Sequence, residues 1–386
     1  MLEIEKIIND ICPNGVEYKP LVECCVVLDN KRKPVTKSAR EGGEYPYYGA
    51  NGIQDYVSDY IFDGVFVLVG EDGSVITPNG NPVVNWAEGK IWVNNHAHII
   101  AEKEGVLLRY LYHYLQTVNI SSLVHGNIPK LTGSDFKAIQ VPLPPLAAQR
   151  EIVHVLDKFT LLSSELAAEL AARRVQYEYY RDDLLKVKDN SERVSIADIC
   201  IPTKNIKWKD AQGTYKYIDL SSVDRDTHLI QAESVIDKDS APSRAQQIVL
   251  KDDVLYATTR PTLRRYCIIN DEYDNQICST GFAVLRSNRE RILPKYLYFI
   301  VSSTAFLDYV EANQEGTSYP AISDGRLKEF RFNLPSIETQ SRLVFVLENF
   351  DKICADLKIG LPAEIEKRQQ QYEYYRDKLF AFKKLS

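Results

Sequence analysis

Apolar positions along the chain fall into blocks of different period. Residues 3–12 place Ile4, Ile7, Ile8 and Ile11 on one face of a short predicted helix, ended by Pro13-Asn14-Gly15. From about 16 to 141 the pattern becomes short β-rich runs between turn signals such as Asn51-Gly52, Asp63-Gly64 and Asp72-Gly73. The runs 65–69 (VFVLV) and 91–93 (IWV) predict buried strands, and 106–117 predicts a helix. Val141-Pro142-Leu143-Pro144-Pro145 closes this block, because neither a helix interior nor a central strand accepts it. Residues 146–188 then contain no Gly and no Pro. Apolar side chains recur there in steps of three and four, with one step of seven, at Ile152, Leu156, Phe159, Leu162, Leu166, Leu170, Tyr177, Tyr180 and Leu184. That spacing predicts a helix near the coiled-coil period, ~60 Å long.

The pattern then repeats. The stretch 176–185, QYEYYRDDLL, returns at 371–380 as QYEYYRDKLF, with eight of ten positions identical. Leu143-Pro144, Gln149, Val155-Leu156 and Phe159 return as Leu334-Pro335, Gln340, Val346-Leu347 and Phe350. The block 191–333 carries weaker echoes of the first. Val254-Leu255-Tyr256 matches Val65-Phe66-Val67, and Lys295-Tyr296-Leu297-Tyr298 matches Arg109-Tyr110-Leu111-Tyr112. A second long helix is predicted over 337–382, interrupted at Gly360-Leu361-Pro362, where Pro362 suits a new first turn. An internal repeat of this kind fixes the architecture before any single element does. The expected domains are 1–145, 146–190, 191–335 and 336–386. The expected fold class is α+β: two similar globular heads separated by two long antiparallel helices, a coiled-coil spacer with pseudo-two-fold symmetry.

Composition narrows the function. No apolar run reaches the 18 or so residues of a membrane span, so no membrane is expected. The acidic N-terminus lacks the basic start of a secretory signal. Seven cysteines, without a CxxC or a Cys/His cluster, fit reduced thiols in a cytoplasmic protein without structural zinc. There is no phosphate-binding GxxxxGK[ST] loop. Asp72 with Glu88-Gly89-Lys90 is too loose a spacing for a nuclease, and a surface loop is the simpler reading. His96 and His98 share a strand face without a third ligand nearby in sequence, so structural histidines are expected and no metal. No catalytic residue is assigned.

Binding chemistry is better represented. Lys31, Arg32 and Lys33 precede an aromatic run containing Tyr47, and then Asn51. Lys204, Lys207 and Lys209 flank Trp208, while Arg260, Thr262, Arg264 and Arg265 form a second cluster. Cations interleaved with hydroxyl, amide and aromatic groups suit phosphate positioning and base-edge contact. These twelve are the candidate DNA-binding residues. The formal charge of −6 pulls the other way, since a basic footprint is usual for nucleic-acid binders. In the repeated helix motif Tyr177/Tyr180 and Tyr372/Tyr375 follow the apolar stripe and are expected to pack. Tyr179 and Tyr374 fall off it; with Arg181 and Arg376 they are the candidate partner-binding residues.

The Leu-Pro-Pro-Leu run, Gln149-Arg150-Glu151-Ile152-Val153, both copies of QYEYYRD and the YPYYGANG stretch at 45–52 resemble the specificity subunits of type I restriction-modification enzymes. The resemblance covers essentially the whole chain. It implies a non-catalytic reader of double-stranded DNA with two target-recognition domains, each taking one half of a split site. It further implies helices that dock two methyltransferase subunits, and motor-nuclease subunits in the full complex. S-adenosylmethionine, ATP and Mg would belong to those partners, so no cofactor is expected here. The rival reading is a two-headed coiled-coil scaffold for proteins.

Overall fold

The computed structural model describes residues 10–186, 191–355 and 360–385. Most of the helix predicted over 3–12 lies outside them. Five helices matter for function: α1 (Leu108–Leu115), α2 (Leu146–Leu184), α3 (Pro294–Ser302), α4 (Ile337–Ala355) and α5 (Leu361–Leu379). Contacts divide the chain into two compact units, Met1–Glu165 with Ile365–Ser386, and Leu166–Glu364. The division cuts through α2 and α5, so each head is packed together with segments of the long helical runs.

In the first unit a six-stranded sheet runs in the order Val26–Val27, Ala97–Ala101, Phe62–Gly70, Val84–Val93, Gly42–Gly49, Gly52–Val57. Its central strand alternates as a strand covered on both faces must. Val67 and Val69 point into a core shared with Tyr110, Leu111, Ile152 and Leu156. Phe66 and Leu68 point into a second cluster with Ile91, Val93 and Ile99. The prediction of a fully buried run at 65–69 fails at Val65, which is 45% exposed near the uncovered start of the strand.

The second unit builds the same plan differently. Its central strand Val254–Ala257 pairs with Tyr266–Ile268 and Phe282–Ser287 in a four-stranded sheet, and a separate five-stranded sheet stands beside it. Val254 and Tyr256 pack with Tyr296, Leu297 and Leu347. Leu255 and Ala257 face the other cluster, with Cys267 and Phe282.

Both heads close alike. Glu17–Pro20 pairs antiparallel with Gln140–Leu143, and Glu192–Ser195 pairs antiparallel with Arg331–Leu334. In each case the first strand of the head clamps the strand that leads into a long helix. α4 and α5 are separate helices, as the Gly360-Leu361-Pro362 break predicts.

Candidate nucleic-acid and subunit interfaces

The basic run of the first head does not act as one patch. Asp29–Lys31 forms a short 3-10 turn whose exit turns Arg32 inward. The guanidinium reaches Glu71 Oε2 at 2.5 Å and the Ala97 carbonyl at 2.7 Å. Beside it the buried His98 places Nδ1 2.7 Å from Asp29 Oδ2 and Nε2 3.0 Å from the Leu131 carbonyl oxygen. Its ring stacks on Phe136 at 4.2 Å. Burial pushes the Asp29 carboxyl up, but bonds from His98 and the Ile99 amide, with the charge of Arg32, bring it below the usual range.

Asp29, Glu71 and His98 offer three potential ligand atoms within 4.8 Å of one another. The sequence hid this set, because its carboxylates lie far from His98 along the chain. Arg32 already supplies the compensating cation, and both His98 nitrogens are spent on oxygen partners. The chemistry is that of a structural charge cluster. It holds the 29–33 turn with Lys31 and Lys33 outward and exposed. His96 is half-exposed and bonds Asp72.

Tyr47 also turns inward. It is 1% exposed, its hydroxyl receives the Val35 amide at 3.1 Å, and Arg40 covers its ring at 4.1 Å. It therefore supports the 33–40 loop and offers no free surface. Asn51 stays exposed at the hairpin turn. The outward aromatic chemistry lies instead at Tyr45 and Tyr60, whose rings are 5.1 Å apart, with Lys90 Nζ 4.7 Å from the Tyr60 ring. Only the YPYY run hinted at this group.

In the second head Lys204, Lys207 and Lys209 are exposed, while Trp208 donates to the Ala245 carbonyl at 2.7 Å. Arg260 and Arg264 flank a 3-10 turn at Pro261–Leu263, and both take left-handed backbone angles, φ 48° and 54°. A left-handed arginine is strained, and such strain concentrates at working loops. Arg260 is exposed and lies over Tyr319 at 4.6 Å; Tyr319 is itself 71% exposed. Arg264 turns inward, to the Ser302 carbonyl at 3.3 Å and Glu178 at 3.5 Å. Arg265 donates to the Val223 carbonyl and is likewise internal. Thr262 is half-buried. Of the twelve DNA candidates, Arg32, Tyr47, Arg264 and Arg265 thus carry structural contacts. Tyr319 was missed, since its pairing with Arg260 depends on two loops distant in sequence.

The helices carry a duplicated clamp. Gln149 is 1% exposed and Gln340 fully buried. Each side-chain oxygen receives the amide that opens a head helix, Leu107 or Leu293, at 2.9 Å. Each side-chain nitrogen donates to the proline carbonyl before its own helix, at 2.9 Å. A stacked ring pair is duplicated too: Phe159 with Tyr375 at 5.6 Å, and Tyr180 with Phe350 at 6.0 Å, both at 22°. The tyrosines expected to pack do so to different degrees: Tyr372 is 7% exposed, whereas Tyr180 is 42% exposed beneath its stack.

Tyr179 and Tyr374 face outward, 68% and 54% exposed. Arg181 does not: it is 2% exposed and bonds Asp182 and Thr304. Its repeat mate Arg376 retains 12% side-chain exposure and pairs with Asp377 at 2.9 Å. The two arginines brace their helices from within.

Two units that each pack on long-helix segments through the same buried glutamine make the chain an internal duplication. The family described as type I restriction modification DNA specificity domain matches twice, over residues 13–172 and 188–367. A type I restriction enzyme specificity subunit of Haemophilus influenzae is 34% identical over 378 residues, covering 95% of this chain and 96% of that protein. One from Escherichia coli is 33% identical over 300 residues, 72% of each chain. The crystal structure of a type I restriction-modification S subunit from M. genitalium covers 95% of this chain and 97% of its own, at TM-score 0.54 and 15% identity. The chain belongs to this family and is a DNA-recognising specificity subunit of a type I restriction-modification system. No helix among the described residues is long and apolar enough to cross a membrane.

Proposed function

We propose that the two heads each read one half of a split duplex site, and that the two QYEYYRD segments dock two methyltransferase subunits. The observation that carries the two-partner reading is the duplication of both the buried glutamine clamp and the outward tyrosine. Equal platforms suit equal partners. Heads that differ in sheet organisation suit unequal half-sites. In this reading Lys31, Lys33, Asn51, Lys90 and Tyr60 serve the first half-site. Lys204, Lys207, Lys209, Arg260 and Tyr319 serve the second. Exposed cations position phosphates, and the stacked cation–aromatic pairs meet bases.

The subunit itself is non-catalytic and binds no cofactor. S-adenosylmethionine, ATP and Mg belong to methyltransferase and motor-nuclease partners, and the complex works in the cytoplasm. Titrating the purified chain with its methyltransferase, followed by mass measurement of the complex, tests the stoichiometry. Two copies per chain are expected. Saturation at one copy, or protection of a continuous site in place of a split one, would overturn the reading.

A further inference from the structure

The second unit contains a cavity of about 540 Å³. Four arginines reach its wall from three separate segments: Arg174 and Arg181 from α2, Arg225 from a loop, and Arg264 from the strained turn. The carboxylates that share the wall are Glu178, Asp226 and Asp351. Glu178 pairs with Arg264 at 3.5 Å, and Arg181 pairs with Asp182 at 2.8 Å. Burial raises the Asp351 carboxyl above its usual range, against the pull of Lys295 and with a smaller push from Glu348.

His228 completes the wall. Its backbone is left-handed, φ 56°, and its ring stacks on Tyr266 at 3.8 Å. Its Nδ1 is buried without a hydrogen-bond partner. Two left-handed residues and a buried, unpartnered imidazole nitrogen are each costly, and such costs collect at working sites.

We propose that this cavity binds a phosphate group, held by the arginine forks of Arg174, Arg181, Arg225 and Arg264. Planar guanidinium groups match phosphate oxygens two at a time, and an oxyanion relieves their mutual repulsion. The phosphate comes either from a DNA backbone or from a free phosphate species, and a single experiment separates the two sources. Inorganic phosphate is titrated into the full chain and into a double variant, Arg174→Gln with Arg225→Gln, followed by 31P NMR. Both altered residues are exposed, so the fold is retained, and a thermal melt checks this.

Saturable binding with Kd of about 1 mM or tighter, weakened at least tenfold in the variant, is expected. If a short duplex displaces the phosphate and the variant loses about 0.9 per lost contact from its salt slope, the natural source is DNA. If phosphate still binds beside the duplex and the slope is unchanged, the source is free phosphate. Absence of saturable binding, or equal binding by a folded variant, overturns the proposal.

Discussion

Gln149 and Gln340 stand 191 positions apart in the chain and play one structural part twice. Each is buried, each receives an amide from the start of a head helix, and each donates to the proline carbonyl before its own helix. Gln149 also donates to the Gly105 carbonyl at 3.2 Å, and Gln340 to the Arg291 carbonyl at 3.0 Å. Truncating either to Ala strands one amide and two carbonyls in a dry site. Each unsatisfied group costs roughly 1–3 kcal/mol, and some will recruit water. A loss of roughly 2–4 kcal/mol is expected for each variant in urea unfolding, with similar values at the two sites. A loss under about 0.5 kcal/mol would mean that the clamp is incidental.

The outward tyrosines give a contrasting expectation. Tyr179→Ala and Tyr374→Ala remove side chains that are mostly in solvent, so stability should shift by no more than about 0.5 kcal/mol. Association with the methyltransferase should weaken by roughly 1–2 kcal/mol per site, the range of an aromatic anchor at an interface. Calorimetric titration of each single variant should show one site weakened and one intact. Full affinity in both would place the docking surface elsewhere on the chain.

Arg260 and Tyr319 form the most exposed cation–aromatic pair of the second head, at 4.6 Å. Replacing either with Ala should relax recognition of one half-site by roughly 1–3 kcal/mol and leave the other half-site untouched. Methylation mapping on a library of split sites reads both effects at once. By contrast, Arg265→Ala should act on stability, because its guanidinium bonds the Val223 carbonyl inside the head. An Arg265→Ala protein of normal stability and altered specificity would reverse these assignments.

What the sequence disclosed follows from where the constraints are local. The helical spacing of 146–188 and the duplicated QYEYYRD need only neighbours along the chain; the first is found as a helix over Leu146–Leu184, and both copies of the motif lie on helices. The clamping glutamines were visible as repeated positions, although not as hydrogen-bond hubs. Side-chain direction was not legible. Arg32 and Tyr47 sit among exposed cations and turns, yet a 3-10 turn and a bulged strand swing them inward. Arg181 sits two positions from an outward tyrosine, and a step of two on a helix moves to the other face. The partners that decide these cases are Glu71, Val35 and Thr304, all more than ten positions away. The left-handed angles at Arg260 and Arg264 carry no sequence signal at all, since neither residue is Gly or Asn.

His228 gives the pH test. Burial first, then the charges of Arg264 and Arg181, push its pKa down to about 4 against the pull of Asp224. An unfolded chain returns this imidazole to about 6.5. Between those two values the unfolded state binds the proton and the folded state does not, so stability must fall as pH drops from about 6.5 toward 4. Below about 4 both states are protonated and the loss is complete. The full difference is worth roughly 3 kcal/mol. His228→Asn removes the titration and keeps a residue that tolerates the left-handed angle at this position. Urea unfolding in phosphate-free buffer should therefore show a shallower pH slope in the variant between 6.5 and 4, with the two curves parallel above pH 7. Carboxylates held below their usual range, Asp29 and Asp157 among them, lose stability too, but nearer and below pH 4, and they do so equally in both proteins. Identical slopes in the two proteins would show that His228 titrates normally, and with it that the cavity wall is open to water.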